Sequence, residues 1–130
     1  MQRLIRIALP VCLLAVLNLA GCKKTKSNFA THQVTIDICG AIPADVQVRE
    51  GDHVYWQSDD QHDYTVRFSH PSEPTANPFV VKHGVPDFGH TIKGKRGCKD
   101  LGQGNFYCKY TLTKDNDQVP CADPGVHIIP

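Results

Sequence analysis

The stretch Gly104-Asn105-Phe106-Tyr107-Cys108-Lys109-Tyr110-Thr111-Leu112-Thr113 alternates Phe106, Cys108, Tyr110 and Leu112 with Tyr107, Lys109, Thr111 and Thr113. Successive side chains of an extended strand point to opposite faces, so this pattern predicts a strand with one buried face and one wet face. The same period of two recurs upstream. Val34, Ile36 and Ile38 share one face of a first predicted strand, and Val46 and Val48 one face of a second. Val54 and Trp56 mark a third after the turn Glu50-Gly51-Asp52, and Tyr64, Val66 and Phe68 a fourth, with Thr65 and Arg67 facing water.

Between His70 and Pro78, three prolines and few apolar residues predict a loop leading to the brief run Phe79-Val80-Val81. Phe88, His90 and Ile92 form a weaker alternation after Pro86. Lys114-Asp115-Asn116-Asp117 reads as a turn, and Val126 and Ile128 as the inner face of a last strand with His127 opposite. No segment has the length and 3.6-residue period of a long helix. Roughly seven short strands separated by Gly, Pro, Asp and Asn clusters, with no helix to carry a parallel crossover, predict an antiparallel β-sandwich.

The chain has 130 residues, and its beginning is of a different kind. Arg3 and Arg6 precede an apolar run from Ile7 to Ala20, interrupted by Pro10 and Asn18, and the run ends in Leu19-Ala20-Gly21-Cys22. It is shorter than the ~20 apolar residues a membrane-spanning helix needs. This pattern resembles a bacterial lipoprotein signal, which implies removal of residues 1–21 and acylation of Cys22 as the new N-terminus. Residues 22–31, with Lys23, Lys24 and Lys26, then form a polar tether too poor in apolar surface to fold, and residues 32–130 form one domain. Lys23 after the lipid site is compatible with sorting to the outer membrane, facing the periplasm. The remaining 109 residues carry all 13 acidic residues and 12 of the 14 Lys and Arg, a net charge of about −1 with His neutral. Without a basic face, nucleic acid is excluded as a partner.

Cys12 leaves with the signal and Cys22 takes lipid, so Cys39, Cys98, Cys108 and Cys121 remain in an oxidising compartment. Four such cysteines most simply form two disulfides, for which three connectivities exist. Cys98 and Cys108 flank a basic loop whose base they could tie. Cys39 precedes the second strand and Cys121 the last, so that pair could fasten the ends together. In the chain-entropy model the short closure is worth about 2.8 kcal/mol and the long one about 4.5 kcal/mol.

The order of features resembles the cupredoxin family across nearly all of residues 32–130. Val46-Gln47-Val48-Arg49-Glu50-Gly51-Asp52-His53-Val54-Tyr55-Trp56 resembles its early hairpin, and Tyr64-Thr65-Val66-Arg67-Phe68 its next strand. Phe106-Tyr107-Cys108 is similar to the aromatic approach to a copper-ligating cysteine, and Asp123-Pro124-Gly125-Val126-His127-Ile128 to a closing strand. The resemblance implies a Greek-key sandwich. It also implies a trigonal copper site of one thiolate, two imidazoles and often an axial Met. Here the sequence departs from the family: Lys109, Tyr110 and Thr111 follow Cys108, the next His is His127, and the only Met is Met1. Tyr64 stands where the family's other His is expected, with His62 two residues early. No cofactor is therefore expected. The alternative is a periplasmic copper-binding or electron-transfer protein using Cys108 and His62 with one unconventional ligand.

Among the other histidines, His90 shares its expected face with Phe88 and Ile92, and His62 could form a surface metal site with Asp60 and Asp63. His53 and His127 are expected to face solvent. Lys93, Lys95, Arg96 and Lys99 form the one basic cluster, a solvated loop or a dock for an acidic partner or lipid headgroup. The chain has no nucleophile elbow, phosphate-binding glycine loop or zinc-protease helix. The sequence thus predicts a non-enzymatic, membrane-tethered binding or structural module, with an envelope protein as its possible partner.

Overall fold

The computed structural model describes residues 28–130. The signal, Cys12, Cys22 and the tether through Ser27 lie outside the described residues. Within them the chain forms ten strands and no helix: β1 (Thr31–Asp37), β2 (Gly40–Ile42), β3 (Asp45–Val48), β4 (His53–Ser58), β5 (Tyr64–Phe68), β6 (Phe79–Val81), β7 (His90–Thr91), β8 (Lys99–Gly102), β9 (Asn105–Lys114) and β10 (Gly125–Ile128). One sheet has the order β2-β1-β4-β7. The other has the order β3-β10-β9-β5-β6, with β8 also paired to β9.

The alternating residues quoted above are what hold the sheets together. Val34 and Ile36 of β1, Val54 and Trp56 of β4, Tyr64, Val66 and Phe68 of β5, Cys108, Tyr110 and Leu112 of β9, and Val126 and Ile128 of β10 are all buried in one core. Trp56 lies at its centre, edge-on to Phe68 and Tyr110, and its indole N–H donates to the Tyr110 hydroxyl at 3.2 Å. The indole thereby keeps a hydrogen bond inside an otherwise apolar interior, where losing it would cost about 1–3 kcal/mol.

The pairing is mixed, which corrects the antiparallel expectation. β1 runs parallel to β4, with Val34 opposite Trp56, and β10 runs parallel to β3. A helix is not the only route between parallel neighbours. Between β1 and β4 the chain leaves the first sheet, forms β3 in the second, and returns, so the opposing sheet supplies the crossover. There are also ten strands rather than about seven. β2 and β8 leave no signal in the sequence because they are short edge pairings without a buried alternation, and every residue of β8 is exposed.

Three side chains lie elsewhere than their alternation predicts. Ile38 leaves β1 and is 87% exposed, while Phe88 is 94% exposed. Gly89 adopts φ +77°, and the resulting reversal breaks the alternation between Phe88 and His90. His127 does not face solvent freely, since its Nε2 is buried without a partner.

Strand direction gives the sandwich two distinct ends. At the end where β1 begins, Gly51 donates to the Ile92 carbonyl and Arg49 Nε to the Pro130 carbonyl, so the 50–52 turn, the 93–97 loop and the C-terminus are neighbours. Asp52 secures the incoming chain there, accepting from the Ala30 and Arg49 amides and meeting His32 Nε2 at 2.8 Å. The opposite, distal end carries the β1–β2 turn, residues 59–63 and residues 114–117.

Candidate binding tip

The residues weighed for copper are not gathered. Disulfides join Cys98 to Cys108 and Cys39 to Cys121, with Cα separations of 4.3 and 5.9 Å. A sulfur bonded to sulfur is no thiolate, so Cys108 lacks the chemistry a blue-copper centre requires. His90 stacks on Phe79 with ring centroids 3.7 Å apart and pairs with Asp87, while His62 lies in the distal loop with its Nδ1 2.6 Å from Asp115. Asp60 and Asp63 are likewise engaged elsewhere, Asp63 with His83 at 2.8 Å. Among the described residues no three His, Cys, Asp or Glu side chains form a group able to hold a metal ion. The copper set does not fit this arrangement.

The distal end offers a different kind of site. Asp37 pairs with Gly40 across a two-residue turn in which Ile38 and Cys39 both have positive φ, +48° and +53°. This is the turn that normally takes Asn-Gly, because a Cβ in the left-handed region crowds the following carbonyl. A branched residue such as Ile is least suited to it. The bond to Cys121 accounts for a cysteine at position 39. The bond does not explain the identity of residue 38, where Asn or Gly would be less strained.

The neighbouring residues hold this turn in place. Asp60 Oδ2 accepts the Ile38 amide at 3.0 Å, and the Tyr64 hydroxyl accepts the Cys39 amide at 3.1 Å while donating to Asp60 at 2.5 Å. Ser58 Oγ donates to the His62 carbonyl at 2.7 Å, closing the loop behind. Burial pushes the Asp60 carboxyl up, but bonds from Tyr64, His62, Ile38 and Ser58 outweigh it and hold Asp60 below the ordinary carboxylate value. Burial, followed by the hydrogen bond to Asp60, pushes the Tyr64 phenol up to about 12. A charged Asp60 and a neutral Tyr64 are thus maintained as a matched acceptor and donor.

Around the turn, Ile42 and Val119 are 63% and 73% exposed. The turns at this end also carry Asp37, Asp59, Asp60, Asp63, Asp115 and Asp117 against Lys82 and Lys114, with Asp63 and Asp115 paired to His83 and His62. The tip therefore presents aliphatic side chains within a negative field, a combination suited to an apolar pocket rimmed by cations. Sequence reasoning missed Ile38 as a functional candidate because it fits a strand pattern. The available signal was Ile-Cys immediately before Gly40, with a cysteine able to force a turn.

A second exposed apolar patch lies on the flank, where Val80, Val85, Pro86 and Phe88 line a shallow cleft of about 220 Å³. No protein-family model matches the chain, and no curated protein matches it. The class defined by fold and site is a disulfide-braced all-β sandwich with an exposed apolar turn at one end.

Proposed function

We propose that the chain is a lipid-anchored protein of the bacterial cell envelope whose cupredoxin-like, Greek-key sandwich is a non-catalytic binding module, with the distal tip as its recognition surface. The lipoprotein-like sequence around Cys22 supports the anchor. The inward-facing Cys108 on a long strand beside the closing strand supports the cupredoxin-like assignment, as does the turn and Trp-bearing strand through Trp56. Use of Cys108 in a disulfide favours binding over copper chemistry.

The observation that carries the reading is Ile38, an exposed aliphatic residue in a conformation that costs about 1–2 kcal/mol, its amide held by Asp60 and the next residue by Tyr64 and the bond to Cys121. Strain of this kind persists where presentation of the side chain matters more than stability. The partner is an envelope protein whose surface offers an apolar pocket with basic residues at its rim.

A photoreactive phenylalanine analogue placed at residue 38 in cells tests this, with the same analogue at Arg67 in mid-sheet as control. A discrete adduct from position 38, lost when Asp59 and Asp63 are replaced by Lys, is expected. Absence of an adduct, or the same adducts from position 67, refutes the tip as the recognition surface.

A further inference from the structure

We infer that the end of the sandwich opposite the tip is a second interaction surface, which lies against the anionic lipid of the membrane that holds the chain. This inference rests on the lipid anchor proposed above. The chain enters the domain at this end, where Phe29 is half-exposed and packs over Gly51 so closely that any side chain at position 51 would overlap its ring. The His53 amide donates to the Ala30 carbonyl at 2.9 Å and the Ala30 amide to Asp52 at 2.9 Å, so the direction of the chain is fixed at residue 30.

Only six residues, Lys23 to Asn28, separate Cys22 from Phe29. Even fully extended they span at most ~20 Å. The entry end is therefore never far from the lipid headgroups, and the slack of the tether lets it come within the ~8–10 Å Debye length over which opposite charges attract. Three of the six are Lys.

The surface at this end suits that neighbour. Lys93 and Lys99 are exposed and free of ion pairs among the described residues, and Arg96 and Arg49 are exposed beside them. Lys95 and Arg96 are partly offset by Glu50 and Glu73, at 3.4 and 2.9 Å, and Asp100 lies near Lys99 in sequence. Asp52 adds a fourth carboxylate against the five Lys and Arg of this end, so most of its positive charge comes with the three tether lysines, while the distal end carries six Asp against two Lys. Among the described residues, Phe29 at 52% and Leu101 at 49% are apolar and exposed at this end and can enter the headgroup layer. A negative membrane thus attracts the entry end and repels the tip, which orients the domain with Ile38 outward.

The test uses the acylated mature protein in vesicles of phosphatidylcholine, with and without phosphatidylglycerol, and maps lysine acetylation by mass spectrometry. Protection of Lys93 and Lys99 but not of Lys82 and Lys114 is expected with phosphatidylglycerol only, and high salt should abolish it. Lys93→Gln and Lys99→Gln should each reduce the ratio of docked to undocked domain about fivefold, with melting temperature as the check on folding. An unacylated Cys22 overturns the anchor and this inference together. An acylated chain whose two ends label equally on phosphatidylglycerol overturns this inference alone.

Discussion

Replacing Ile38 should make the protein more stable. Ile38 is 87% exposed, so its removal sacrifices little buried apolar area, while its φ of +48° carries the left-handed penalty of about 1–2 kcal/mol. Asn tolerates this region through its short polar side chain, and Ile38→Asn should recover about 1 kcal/mol. Ile38→Gly relieves the same strain but enlarges the freedom of the unfolded chain by about 0.5–1 kcal/mol, so its net gain is smaller. For a domain of this size 1 kcal/mol raises the melting temperature by about 4–8 °C. Thermal and urea unfolding followed by Trp56 fluorescence, with both disulfides intact, measures the order Asn above Gly above Ile. The same substitutions should weaken capture at the tip, so stability and binding move in opposite directions. If both variants are less stable than the parent, Ile38 is retained for packing, and its strain indicates no function.

Three further outcomes follow from the geometry. Replacing Cys98 and Cys108 together with Ser should cost about 2.8 kcal/mol of stability by loop closure, and the oxidised parent should give no intense visible thiolate band with Cu(II); such a band would restore the copper reading. Tyr64, Tyr107 and Tyr110 all have phenols pushed up to about 12, mainly by burial, so the unfolded chain ionises first; unfolding midpoints should hold up to pH 10 and decline between pH 10 and about 12. Asp52→Ala strands the Ala30 and Arg49 amides and should cost about 1–3 kcal/mol, with hydrogen exchange rising first over residues 29–33. Burial opposes the ionised form of Asp52, but the amides of Arg49 and Ala30 together with His32 hold its carboxyl below 3.8. Its contribution is therefore complete above that pH and lost as the pH falls through the lower native value.

The core was legible wherever one residue in two is apolar and both neighbours are strands, as in β4, β5 and β9. A strand between two partners must bury one face, and that requirement is written into its composition. β2 and β8 lack it because edge pairing satisfies the backbone without burying side chains. The parallel pairings were not legible, because direction depends on which sheet the intervening segment joins, and Asp45–Val48 reads the same in either sheet. The cysteines were legible through position along the chain, since Cys98 and Cys108 bracket a loop and a disulfide needs close Cα atoms. The tip was not. Ile38 satisfies the period-two pattern of Val34 and Ile36, and only the positive φ, shared with a cysteine bonded 82 positions away, reveals that the strand has already ended.

In the proposed role, the position of the tip gives that strain a physical purpose. β1 alone runs seven residues at ~3.3 Å each, so Ile38 stands some 20 Å beyond the point where the chain enters the domain. A partner that meets the turn at this distance from the entry point gains from whatever order the tip already possesses. A mobile turn would lose about 1–2 kcal/mol per residue on being fixed by a partner. Asp60, Tyr64 and the Cys39–Cys121 bond fix the turn in the free protein instead, at a cost in folding stability that a buried core and two disulfides can tolerate. Under the proposal, the strain at Ile38 and the bracing around it are one device: it transfers the ordering cost of recognition from the encounter to the folding of the domain.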